Sequence, residues 1–217
     1  MIDIIPAILT ADSKELEEKL KQIEGRVQSV QIDIVDGMFV QNRTIFPDLL
    51  EKVDTNLLID FHLMTKEPID WVEHCIRGMA DRIFGHIEQM TSQPDFVGKV
   101  QEVGAKVGLA LDLGTPISAI DAVLFQNLDA ILVMSTKAGF GGGEFDGGVF
   151  EKIRKLDQIR IRDDTPFRIC VDGGINEDNI KEVVAAGADE VAVGRMLFEG
   201  DLVANIKRLQ GVAYGKD

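Results

Sequence analysis

Asp33, His62 and Asp172 stand near the ends of three short runs in which apolar and polar residues alternate. Two carboxylates and an imidazole brought together can move protons, hold a divalent cation, or form a structural polar cluster, and residue type alone leaves these three open. The runs share a pattern. Over 28–34, Val30, Ile32 and Ile34 are apolar while Gln31 and Asp33 take the opposite parity; over 57–63, Leu57, Ile59, Phe61 and Leu63 alternate with Asp60 and His62, Met64 continuing the second set. Over 167–172, Phe167, Ile169 and Val171 alternate with Arg168, Cys170 and Asp172. Because a strand sends successive side chains to opposite faces, the ionisable residues of each run share one face and the branched apolar ones the other. Two further runs end on His86, Glu88 and Asp112, against Ile83, Ile87, Val107, Leu109 and Leu111.

Glycine clusters follow later runs. Gly139-Phe140-Gly141-Gly142-Gly143 comes after 129–134, Gly173-Gly174 after 167–172, and Gly194, followed by Arg195, after 189–194. A chain without Cβ atoms can approach a ligand closely and aim its N–H groups at an anion, so these loops are candidates for a phosphate cradle. Arg195 either reaches that phosphate or pairs elsewhere. Lys137 precedes the long glycine loop and reads as a solvated lysine.

The elements that position these residues alternate along the chain. Strands are expected near 3–9, 28–34, 57–63, 82–87, 106–111, 129–134, 167–172 and 189–194, with amphipathic helical segments such as SKELEEKLKQI, PDFVGKVQEV and GVFEKIRKL between them. Eight such units in one domain spanning 1–217 predict an α/β fold, a (β/α)8 TIM barrel. The first turn, Leu9-Thr10-Ala11-Asp12, lacks the glycine fingerprint of an open dinucleotide-binding sheet. In a barrel the polar parity faces the interior and is expected to grow more polar toward the C-terminal mouth, where barrel enzymes carry their chemistry.

Composition narrows the partners. The chain has 217 residues, 45% hydrophobic and 28% charged, with a net charge of −14. That charge argues against nucleic acid or an anionic membrane as partner. The opening MIDIIPAILT has no basic, extended apolar leader, and Cys75 and Cys170 lie far apart, so a cytoplasmic protein is expected. Asn42-Arg43-Thr44 matches a glycosylation pattern by chance.

Taken together, Pro6-Ala7-Ile8-Leu9-Thr10-Ala11-Asp12, Asp33-Ile34-Val35-Asp36-Gly37-Met38-Phe39-Val40, Asp60-Phe61-His62-Leu63-Met64, Val133-Met134-Ser135 with the glycine loop, and Val171-Asp172-Gly173-Gly174-Ile175 resemble the ribulose-phosphate 3-epimerase family. The resemblance implies a ribulose-phosphate-binding barrel that inverts C3 of D-ribulose 5-phosphate to give D-xylulose 5-phosphate, with Asp33 and Asp172 as acid and base. It implies a divalent metal (Zn, Fe, Mn or Co) held by Asp33, His62, Asp172 and a second-strand histidine. Here Gln31 stands in that histidine's place and offers only an amide. The phosphorylated sugar would contact His62, Gly139, Phe140, Gly141, Gly142, Gly173, Gly174, Gly194 and Arg195. Other departures from the family pattern are Ala7, Ala138, Gly143 and Arg195. The resemblance also implies a homo-oligomer. A hexulose phosphate such as allulose 6-phosphate, and an inactive sugar-phosphate-binding homologue, are the alternatives these departures raise.

Overall fold

The computed structural model describes residues 1–215. Eight parallel strands, β1 (Asp3–Ile8), β2 (Ser29–Val35), β3 (Leu58–Met64), β4 (Ala80–His86), β5 (Lys106–Leu111), β6 (Ala130–Met134), β7 (Arg168–Asp172) and β8 (Glu190–Val193), form a closed barrel. Closure is made by β8 on β1, with Asp3 opposite Glu190 and Pro6 opposite Val193. The expected strands and fold class are those observed; the last two residues of the expected 1–217 span lie outside the described residues.

Helices cover the barrel where the sequence spaces apolar residues for them. In α1 (Ser13–Ile23) Asp12 accepts the Lys14 N–H as N-cap, and Leu16, Leu20 and Ile23 are buried on one face. In α3 (Gln93–Glu102) Ser92 caps and Phe96, Val97 and Val100 are buried. Between these lies α2 (Val72–Arg77); α4 (Val149–Asp163), α5 (Ile180–Ala186), α6 (Arg195–Phe198) and α7 (Leu202–Ala213) complete the outer layer. The expectation of a helix after every strand needs correcting. After β2 and β5 the chain crosses on short 3-10 turns, Pro47–Lys52, Ile117–Ala119 and Ala122–Asn127. There the buried residues come only in pairs, Pro47 with Leu50 and Leu124 with Phe125. One turn buries these, and no longer 3.6-residue stripe is present to be satisfied.

Two apolar layers result. Val30, Ile32, Ile34, Ile59, Phe61, Leu63, Ile169 and Val171 belong to the layer between strands and helices. A smaller cluster including Val35, Met64, Phe84, Leu132, Met134 and Cys170 fills the barrel interior. Gly108 makes room for the Phe84 ring there, since a Cβ on Gly108 would collide with it. No described helix is long and apolar enough to cross a membrane.

The interior is polar at its N-terminal end as well as at the C-terminal mouth where polarity is expected. At the N-terminal end Arg82 donates to Asp60 and Glu190, with all three side chains buried.

Candidate active site

The ends of β2, β3 and β7 bring Asp33, His62 and Asp172 to one point at the C-terminal mouth. Asp33 and His62 are register partners on adjacent strands. Each aspartate is held by a hydroxyl on its own carbonyl: Thr44 donates to Asp33 O and Ser135 to Asp172 O. The Ser135 N–H also donates to Asp172 O, at 2.7 Å. These two hydroxyls pin the strand ends from loops remote in sequence, so nothing near the aspartates signals them.

His62 is fully buried, with Nδ1 3.1 Å from Asp33 Oδ1 and 3.3 Å from Asp172 Oδ2. Gln31, also buried, reaches the same point: Nε2 donates to Asp33 Oδ1 at 2.9 Å and to Asp172 Oδ2 at 2.6 Å, and lies 3.4 Å from His62 Nδ1. One donor atom each from Asp33, His62 and Asp172 falls within 4.8 Å of the others. On its far side His62 Nε2 faces His86 Nε2 at 3.0 Å, and His86 Nδ1 faces Glu88 Oε2 at 3.0 Å. His86 is therefore a fully buried partner of His62.

Electrostatics follow from this packing. Burial lifts the Asp33 carboxyl above its ordinary range and the Asp172 charge adds to that, while His62 and Gln31 pull it back. Burial alone would lower His62, but hydrogen bonds to Asp172 and Asp33 outweigh it and raise the imidazole to about 9. Burial holds His86 below its usual value, the hydrogen bond to Glu88 opposing it. A neutral His86 that donates Nδ1–H to Glu88 has an Nε2 lone pair, which takes the Nε2–H of His62. That arrangement leaves His62 Nδ1 as the nitrogen facing the carboxylates.

A cavity of about 770 Å³ opens above the cluster, lined by Asp33, His62, Asp172, the 139–143 glycine loop, Gly173, Gly174, Gly194 and Arg195. Each residue expected to contact a phosphorylated sugar is thus on one wall or another of the same space. Gly142 holds φ +79°, and a Cβ there would strike the Arg195 guanidinium, so glycine lets the loop pass close under the arginine. Arg195 borders the cavity. Lys137 is exposed and is absent from its lining. Sequence reasoning passed over Asn42, whose amide donates to Gly139 O at 2.8 Å and ties the β2 loop to the glycine loop. It also passed over Glu15 and Lys19 of α1, which border the cavity and are paired with each other at 2.6 Å.

A ribulose-phosphate 3-epimerase from Bacillus subtilis is 34% identical over 216 residues, covering 97% of this chain and 99% of that one. A chloroplastic ribulose-5-phosphate-3-epimerase from Arabidopsis thaliana is 36% identical over 203 residues, covering 91% and 72%. Among solved structures, orotidine 5′-monophosphate decarboxylase from Sulfolobus solfataricus superposes with a TM-score of 0.65 at 15% identity over 99% of both chains, a likeness of fold alone. Residues 3–198 match the family model described as the ribulose-phosphate 3 epimerase family, and the chain belongs to that family.

Proposed function

We propose that this chain interconverts D-ribulose 5-phosphate and D-xylulose 5-phosphate by proton transfer at C3. The observation that carries the reading is the pair of buried aspartates, from β2 and β7, meeting at one imidazole under a glycine-walled cavity. Inversion at C3 needs one base to remove the proton from one face and one acid to return a proton on the other. The inward contacts of the pair engage Asp33 Oδ1 and Asp172 Oδ2. Asp33 Oδ2 and Asp172 Oδ1 are then the atoms that exchange protons with substrate, their roles reversing with the direction of reaction. The phosphate lies against the glycine loops and Arg195, where backbone N–H groups and one guanidinium offset the negative charge of the protein as a whole.

A divalent metal fits the donor set. His62 turns Nδ1 inward because Nε2–H is spent on His86, the outer hydrogen bond that metal-binding histidines characteristically make. Asp33, His62 and Asp172 would hold the ion. When bound it would supply positive charge beside the oxygens of the enediolate formed on deprotonation. His62 must then give up its Nδ1 proton, so metal binding and protonation of this imidazole compete.

The test is deuterium incorporation from D2O at C3 of ribulose 5-phosphate, followed by NMR with Mn²⁺, Fe²⁺, Co²⁺ or Zn²⁺ present. Exchange at C3 alone, lost in Asp33→Asn, is expected. No exchange with any of these metals, on folded protein, would refute the reading.

A further inference from the structure

We infer that Gln31 is the fourth metal ligand, through its amide oxygen, and that it biases the site toward a hard cation of the Mn²⁺ kind and away from Zn²⁺. This rests on the reading of the Asp33–His62–Asp172 cluster as a metal centre and goes beyond it by naming the donor that completes the cage and the selectivity that follows.

The geometry is a four-atom cage. The Gln31 amide nitrogen stands 2.9 Å from Asp33 Oδ1, 2.6 Å from Asp172 Oδ2 and 3.4 Å from His62 Nδ1, and that His62 nitrogen stands 3.1 and 3.3 Å from the same two oxygens. Neighbouring ligands around one cation are separated by about 3.0 Å in an octahedral site with bonds of ~2.1 Å, and by about 3.4 Å in a tetrahedral one. The amide terminus of Gln31, hydrogen-bonded to both carboxylates, is thus within reach of the same point as the donor atoms of Asp33, His62 and Asp172. Its side chain is only 1% exposed, so it has no alternative partner in solvent.

All three polar contacts of the side chain run through Nε2. With no cation between them, two carboxylates draw the –NH2 end of a carboxamide inward, because only that end donates. A cation reverses the preference: it repels the N–H dipoles and takes the carbonyl. The two ends of a carboxamide have nearly the same size, so a half-turn of the group presents Oε1 at the position Nε2 occupies. The resulting donors are three oxygens and one imidazole nitrogen. Carboxylate and carbonyl oxygens suit Mn²⁺ and Mg²⁺, whereas each added imidazole favours Zn²⁺ and Fe²⁺.

Binding of Mn²⁺ and Zn²⁺ alone, measured on the full-length protein, tests this. Mn²⁺ is titrated by electron paramagnetic resonance of the free ion and Zn²⁺ by competition with a chromophoric chelator, for the wild type, Gln31→Leu and Gln31→His. Gln31→Leu is expected to weaken Mn²⁺ binding at least ~10-fold, and Gln31→His to raise the ratio of Zn²⁺ to Mn²⁺ affinity by at least ~10-fold. On the wild-type protein the side-chain amide NMR signals of Gln31 are expected to shift on adding Zn²⁺ as the –NH2 leaves the carboxylates, a readout that needs no variant to fold. Mn²⁺ affinity unchanged in folded Gln31→Leu, or a Zn²⁺ to Mn²⁺ ratio unchanged in Gln31→His, overturns the inference. So does C3 exchange that persists in a wild-type protein binding neither ion, an outcome that leaves the epimerase reading standing. Gln31-dependent Mn²⁺ binding without C3 exchange does the reverse: it supports the ligand and sinks the activity.

Discussion

The two ends of the barrel interior both bury charge, and they treat it differently. At the N-terminal end Asp60 and Glu190 meet the Arg82 guanidinium, Arg168 adds a second cation to Glu190 at 2.8 Å, and Arg82 also lies over the Phe84 ring. Each buried carboxylate there has a guanidinium beside it, Arg168 also pairing with Asp3 at the surface. At the C-terminal end Asp33 and Asp172 face one imidazole and one neutral amide. Burial pushes Asp60 up to about 6 even with Arg82 beside it, which shows how costly an uncompensated carboxylate in this interior would be. A polar cluster that closes on itself stabilises one arrangement, while a cluster short of a positive charge has an opening for a ligand. Barrel enzymes place stability at the first end and chemistry at the second.

Substitutions at the two ends should separate these roles. Asp33→Asn removes a group that transfers protons, and C3 exchange should fall by ~10²–10⁴-fold in a variant that remains folded. A variant that lost stability in proportion to activity would erase the contrast between the ends. Arg82→Leu should behave oppositely. It strands the buried Asp60 carboxylate and leaves Glu190 with Arg168 alone, and should cost about 3–5 kcal/mol in urea unfolding, with C3 exchange retained at temperatures where the variant is folded. A cost near zero would mean that the N-terminal charges do not depend on each other.

A pH effect of intermediate size should arise at the C-terminal end. In chelator-treated protein the folded pKa of His62, about 9, lies above its ordinary value of 6.5. A raised histidine contributes stability that is fully present below 6.5 and is lost as pH rises through 9, to the extent of about 3 kcal/mol. Urea unfolding at pH 6.5 and pH 9 should show that loss in the wild type and not in His62→Gln; equal losses in both would place the titration elsewhere. The smallest effect is expected at the phosphate. Arg195→Ala should raise KM about tenfold with little change in kcat, and the difference should shrink with added salt because Arg195 is exposed. A fall in kcat with unchanged KM would move Arg195 from holding the phosphate to the reaction itself.

Legibility in the sequence followed the range of the interactions. Alternation in 28–34, 57–63 and 167–172 is local, and it placed Gln31, Asp33, His62 and Asp172 on the interior face before any fold was known. Glycines after three successive strands marked the cavity wall for the same reason, since a backbone without Cβ is visible residue by residue. The 3-10 crossovers after β2 and β5 were harder, because short apolar pairs carry no period.

The amino-acid sequence alone therefore determined the barrel, which side chains point inward and where the backbone can approach a ligand, because these depend on steric patterns only a few residues long. Only the tertiary structure decided which inward residues meet. Closure of β8 on β1 and the stagger of the strands joined Arg82 to Glu190 across 108 positions and Gln31 to Asp172 across 141. No local rule encodes such pairings, since they exist only once the sheet has closed. The same closure set His86 behind His62 and turned Gln31, a weak-looking substitution in the sequence, into an amide resting against both aspartates.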